Sequence, residues 1–246
     1  MDPLTVMQAG VTNKVPVMMG LTETHFVFNQ VSNMLHTPYL LKHLNHHWRK
    51  VFPLIFEYNK FYTNFSEESQ NMISKQVRKF YFHGKSIDEN QGEFLKQALS
   101  DRLFRSGMKQ TIKLLAKHGP VYPFILASPK KSLNNGLPWI AGFDDGRSVL
   151  SNSMKTVMGY EKAVQAEKLL NIIQKLIVSF AKNKRPVDQT GGENPWNALD
   201  PSKISSQKPL MYYRIGLETT LVPEPFTAGV DFWEKTLRKA KKKNIG

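Results

Sequence analysis

Three short apolar runs, held far apart by stretches of helical periodicity, constrain this chain more than anything else in it. They occupy residues 15–19, 121–127 and 210–217. Each has strand length and strand residue types, and the spans between them are far too long for hairpins. Parallel neighbours need crossover connections of about a dozen residues or more, usually helical. The pattern therefore predicts an α/β fold with few, mostly parallel strands among many helices. Gly20 is expected to end the first strand. Pro123 cannot donate to a ladder, which predicts that the second strand proper covers 124–127. The third is expected over 210–216.

Between the strands, Leu40, Leu41, Leu44, Trp48 and Val51 recur at helical spacing after Thr37-Pro38, predicting a helix to about residue 50. Ser66 followed by Glu67-Glu68 reads as an N-cap with carboxylates at the positive end of a helix dipole. A longer helical region should begin at Asp88, with Gly107 interrupting it and Gly119 capping it. The clearest periodicity runs from Tyr160 to Lys182, and a short helix around Phe232-Trp233 to Ala240 closes the chain. Residues 128–153 and 183–206 read as loops. Met18, Met19, Phe52, Phe56 and Phe61 are expected in the core.

Of the 246 residues, 41% are hydrophobic and 11% aromatic, which excludes a disordered chain. There is no cysteine, so disulfides, thiolate zinc sites and a cysteine nucleophile are excluded together. No run reaches the roughly 18 apolar residues of a membrane span. The first residues, Met1-Asp2-Pro3-Leu4, show no basic-then-apolar secretory leader. Asn64-Phe65-Ser66 is one glycosylation sequon. Thirty-four Lys and Arg against twenty Asp and Glu leave +14. The one dense cluster, Lys235, Arg238, Lys239, Lys241, Lys242 and Lys243, reads as a basic tail over 235–246, disordered by default. Without interleaved aromatics it argues against nucleic-acid binding.

Met18-Met19-Gly20-Leu21-Thr22-Glu23-Thr24-His25-Phe26 resembles the strand and turn that carry the catalytic acid in type-B carboxylesterases. Further pieces in the same order resemble insect-type members of that cholinesterase-like α/β-hydrolase family: Trp48…Phe52-Pro53-Leu54, Asp101-Arg102-Leu103-Phe104-Arg105-Ser106-Gly107, Tyr122-Pro123-Phe124, Phe180-Ala181-Lys182-Asn183-Lys184-Arg185-Pro186, and Trp196 followed by Tyr212-Tyr213-Arg214-Ile215. The resemblance implies one partial α/β-hydrolase domain over 1–246, corresponding to the last two-fifths or so of an esterase. It also implies a small ester or lipid-like ligand or a protein partner, no cofactor or metal, and a secreted setting.

The family's chemistry then fails at three places. A serine hydrolase of this fold needs Gly-x-Ser-x-Gly, so that the hydroxyl stands on a strained turn, and that motif is absent from these residues. The family's acid position, five residues after Gly20, is His25, with Glu23 two residues early. The family's base position falls in Trp139-Ile140-Ala141-Gly142-Phe143-Asp144-Asp145, where Gly142 stands for the histidine. A corrupted gene model over 128–155 is the competing explanation of that glycine. The reading is therefore a non-catalytic esterase-like fragment or paralogue. The alternatives are the C-terminal part of an active carboxylesterase, or a basic module for anionic surfaces.

Two other constellations are weaker. His43, His46 and His47 share one helix face at i, i+3, i+4, a spacing that can hold a metal, but no carboxylate on that helix completes the site. They are expected to be solvated. Ser128-Pro129-Lys130-Lys131 matches Ser-x-x-Lys, yet that signature needs a helix, which Pro129 opposes.

Overall fold

The computed structural model describes residues 3–11, 13–22, 33–127, 160–187, 196–204 and 209–245. Packing divides the chain into two compact units. A sheet unit comprises Met1–Thr24 and Met108–Pro225, and a helical unit comprises His25–Gly107 and Phe226–Gly246.

The sheet unit holds β1 (Val17–Thr22), β2 (Val121–Leu126), β3 (Met211–Ile215) and β4 (Thr220–Pro223) in that spatial order. β1, β2 and β3 are parallel, and β4 returns antiparallel beside β3. The expected mostly parallel sheet is present. Its fourth strand escaped the sequence reading because Thr220-Leu221-Val222-Pro223 is short and mostly exposed.

Two strand boundaries differ from expectation. Gly20 lies inside β1, paired with Phe124 of β2. A Cβ at Gly20 would overlap the Phe124 ring and carbonyl, so this glycine makes room for a neighbour instead of ending a strand. Pro123 lies inside β2. The Val121 carbonyl accepts from Leu199 N at 2.8 Å and Ala127 N donates to the Ile215 carbonyl at 2.8 Å, both on the side away from β1. By alternation Pro123 faces that same side, where the ladder to β3 begins only at Phe124. The missing N–H falls beyond the ladder and leaves it intact.

A short helix, α1 (Pro3–Gln8), precedes β1. α6 (Tyr160–Asn183) covers one sheet face, its Leu169 and Leu176 packing in one cluster with Tyr122, Leu126, Tyr213 and Ile215. Trp196 stacks on Tyr213 with centroids 4.5 Å apart and planes 9° from parallel.

In the helical unit, α2 (Pro38–Ile55) runs past the expected end and takes in Pro53, with non-helical angles at His47. α3 (Glu67–Phe82) starts as predicted, the Ser66 hydroxyl accepting from Ser69 N at 3.3 Å. It ends where His83 turns left-handed at φ 52. α4 (Gly92–Ser100) leads into a π turn at Asp101–Arg105 and on to α5 (Ser106–Leu115), which crosses into the sheet unit. The irregularity sits at that π turn, and Gly107 lies within α5 instead of breaking it. α7 (Thr227–Ile245) is longer than expected and carries the basic cluster as helix, not as a disordered tail.

The core of the helical unit gathers around Trp233, fully buried against Phe56 at 5.3 Å and Tyr58 at 6.3 Å between ring centroids. Phe52, Ile73, Val77, Leu95 and Ala98 complete it. Phe61, expected inside, is 86% exposed. It follows the end of α2 in a turn whose backbone is tied to the Asn59 side chain, which carries the ring outward.

Candidate functional site

Thr22 pairs with Leu126, and Leu126 with Ile215, so the carboxyl ends of β1, β2 and β3 are level. In open α/β sheets ligands bind outside that edge. His25 follows Thr22 by three positions, and Gly142 lies in the segment after Leu126. Both residues lie outside the described residues, as do Glu23 and Ser128 to Lys131. What the structure places is the pair of strands that deliver the two segments, adjacent, parallel and in register.

The described groups at this edge are structural. Ala127 is buried, its N–H taken by the Ile215 carbonyl. Gly216 begins the β3–β4 connection, and a Cβ there would stand 3.3 Å from that of Ala127. Tyr213 donates its hydroxyl hydrogen to Thr219 Oγ1 at 3.1 Å.

Two buried serines, Ser74 and Ser179, make structural hydrogen bonds. Ser74 Oγ lies 2.8 Å from the Tyr58 hydroxyl and donates to the Gln70 carbonyl. Ser179 Oγ donates to the Leu176 carbonyl and accepts from Val187 N. A hollow of about 560 Å³ along α3, lined by Glu68, Asn71, Met72, Lys75 and Gln76, lies open to solvent. Such a surface does not exclude water as a hydrolytic pocket must.

His43, His46 and His47 are all exposed, with the His43–His47 and His46–His47 ring centroids both 4.6 Å apart. Local desolvation and the charges of His43, His46 and Lys50 hold His47 below the usual histidine range. Among the described residues no group of three acids or histidines is arranged to hold a metal ion. Asn64 is exposed just before α3, anchored by the buried Phe65, whose carbonyl accepts from Gln70 Nε2 at 2.9 Å.

Two buried charged sites went unnoticed in the sequence. On the π turn, Asp101 Oδ1 accepts from Arg105 at 2.7 Å and Oδ2 accepts from the Tyr81 hydroxyl at 3.0 Å. The Arg105 guanidinium stands 3.6 Å from the Phe226 ring centroid. Burial raises the Asp101 carboxyl above its usual range, opposed by Arg105 and by the Tyr81 hydrogen bond. In the sheet unit, Lys109 Nζ lies 3.0 Å from Glu224 Oε2, with both side chains almost fully buried. The i, i+4 spacing of Asp101 and Arg105 was a visible signal, but it suits a solvated helix face equally. Lys109 and Glu224 are too far apart in sequence for any spacing rule to join them.

The family model described as "Carboxylesterase family" matches residues 1–233. The chain belongs to the carboxylesterase family. Relatives of this carboxylesterase-family chain include a venom carboxylesterase-6 of Apis mellifera, 24% identical over 125 residues, or 50% of this chain and 22% of the relative. A carboxylic ester hydrolase of Bombus ignitus is 22% identical across 94% of this chain and 41% of its own length. A crystal structure of a carboxylesterase from Geobacillus stearothermophilus aligns with a TM-score of 0.56 and 14% identity, covering 95% of this chain and 43% of that one. That likeness establishes the α/β-hydrolase-type fold. The chain spans less than half the length of the relatives it matches.

Proposed function

We propose that these 246 residues form part of one carboxylesterase-type domain that does not itself hydrolyse esters, and that serve to bind an ester, a lipid-like molecule or a protein partner. The carrying observation is Gly142 at the family's base position. Hydrolysis needs a base to take the proton from the attacking hydroxyl and return it to the leaving group, and glycine has no group to do either. Removing one triad member leaves only the residual rate from binding and oxyanion donors. His25 at the acid position would orient such a base poorly, since an imidazole lacks the charge that stabilises an imidazolium. The absence of Gly-x-Ser-x-Gly from these residues agrees with this reading. The family match across segments of both units supports treating them as one domain. The exposure of Asn64 suits a glycosylated loop in a secreted protein.

A second reading has its own support. Relatives at least twice as long leave room for a nucleophile upstream, making this the C-terminal part of an active ester hydrolase. One assay separates the two. The purified chain, and any longer gene product containing it, is offered p-nitrophenyl acetate with and without an organophosphate. The proposal expects no turnover above buffer from either. Saturable turnover of the longer product, abolished stoichiometrically by the organophosphate, would establish the second reading. The same result from residues 1–246 alone would place the active site elsewhere in this chain.

A further inference from the structure

α7 has two faces of opposite character. Val230, Trp233, Thr236 and Ala240 are buried, at successive spacings of three, three and four residues. They fasten the helix: Thr236 Oγ1 donates to Gln76 Oε1 at 3.0 Å, and Phe232 stacks on Phe80 with centroids 4.2 Å apart. On the other side Lys235, Arg238, Lys239 and Lys242 follow one another at i, i+3, i+4 and i+7, and all four are exposed. That spacing aligns them in a single stripe about 10 Å long. Among the described residues no carboxylate forms an ion pair with any of them. The acids of the same helix, Asp231 and Glu234, stand four residues before Lys235 and Arg238, while no acid follows within the helix beside Lys239 and Lys242. Like charges at i, i+4 repel one another, as Lys235 with Lys239 and Arg238 with Lys242 do, and an anion lying across the stripe relieves that repulsion.

We infer that this stripe docks the protein on an anionic phospholipid surface. The apolar face of α7 is committed to the core of the helical unit, so the helix has no face left to insert among acyl chains. Contact is then electrostatic only, between ammonium and guanidinium groups and a layer of anionic headgroups. A nucleic acid fits less well. The four stripe positions hold no amide to pair with base edges and no aromatic ring to stack on bases, whereas a leaflet requires only charge. This surface lies outside the esterase machinery, so it stands or falls separately from the loss of hydrolysis.

The test is sedimentation of the 246-residue chain with vesicles of pure phosphatidylcholine or of phosphatidylcholine with about one-third phosphatidylserine. Binding is expected to the anionic vesicles alone. It should disappear between about 0.1 M salt, where charges act over about 10 Å, and about 1 M, where they act over about 3 Å. Each cation near such a leaflet is worth about fivefold in partition, so K235Q/R238Q/K239Q/K242Q should lower binding by roughly a hundredfold or more. The matched variant K42Q/K60Q/K75Q/K85Q removes the same charge from exposed positions elsewhere in the helical unit and should fall far less. Circular dichroism would confirm that both variants keep the helical signal. Equal losses in the two variants, binding to neutral vesicles, or no binding at all would overturn the proposal. So would retention on duplex DNA or heparin at salt that releases the vesicles.

Discussion

Gly20 and Gly107 are the same residue type doing opposite things, and only their surroundings separate them. At Gly20 any added Cβ meets the ring and carbonyl of Phe124. At Gly107, inside α5, a Cβ would meet nothing within 4 Å. Gly20→Ala should destabilise the chain by about 1–3 kcal/mol through overpacking. Gly107→Ala should stabilise it by up to about 1 kcal/mol, because alanine loses less backbone entropy in a helix. Denaturant unfolding of the two variants beside the parent chain checks both signs at once, and a stabilising Gly20→Ala would refute the packing argument. The sequence showed both glycines as punctuation, since a pattern of apolar spacing carries no information about the strand lying beside a residue. The same blindness hid Lys109 and Glu224, whose pairing exists only in the folded chain. His25 and Gly142 came from motif text alone, which names a position without placing it.

α3 shows how far local chemistry reaches at the scale of an element. Its start was readable from Ser66-Glu67-Glu68 because a cap and a helix dipole act within one turn, and the Ser66 hydroxyl does accept from Ser69 N. Ser66→Ala should cost about 1 kcal/mol, while Ser66→Thr should keep most of the cap. The two also divide on glycosylation, since alanine removes the sequon at Asn64 and threonine retains it. Thermal melting together with the mass of the protein from a secretory host reads both effects; an unchanged midpoint for Ser66→Ala would count against the cap. α2 and α7 mark where local signals stop. α2 runs past residue 50 because Trp48, Phe52 and Phe56 pack edge to edge, and α7 extends across its lysines because Val230, Trp233, Thr236 and Ala240 are held in the core. In α2 packing outweighs the weak helix propensity of its aromatics and of Pro53, whereas in α7 it adds to the good propensity of Lys, Arg, Leu and Ala.

At the scale of the whole molecule, buried tyrosines set an alkaline limit on stability. Burial raises Tyr58, Tyr81 and Tyr212 well above the ordinary tyrosine value; the charge of Asp101 adds to the effect on Tyr81, and that of Glu224 to the effect on Tyr212. The folded chain keeps those three protons after an unfolded chain, with tyrosines near pH 10, has released them. Stability from these groups is therefore full below about pH 10 and falls as pH rises above it, by up to about 1.4 kcal/mol per pH unit for each group. Melts at about pH 8 and about pH 11, followed by helix signal and tyrosinate absorbance together, should show a lower midpoint at the higher pH, with these tyrosines ionising only on unfolding. Full ionisation with the helix signal intact would contradict their burial. Sequence alone determined the α/β class, the three parallel strands, the long helices and the family, because spacing, strand length and motif order are properties of the chain as written. Tertiary structure alone decided why Gly20 and Pro123 are tolerated inside strands, which charges are buried together, and that the basic cluster is an ordered stripe. Each of those depends on which distant residue lies within a few ångströms, and distance in space is set only when the chain has folded.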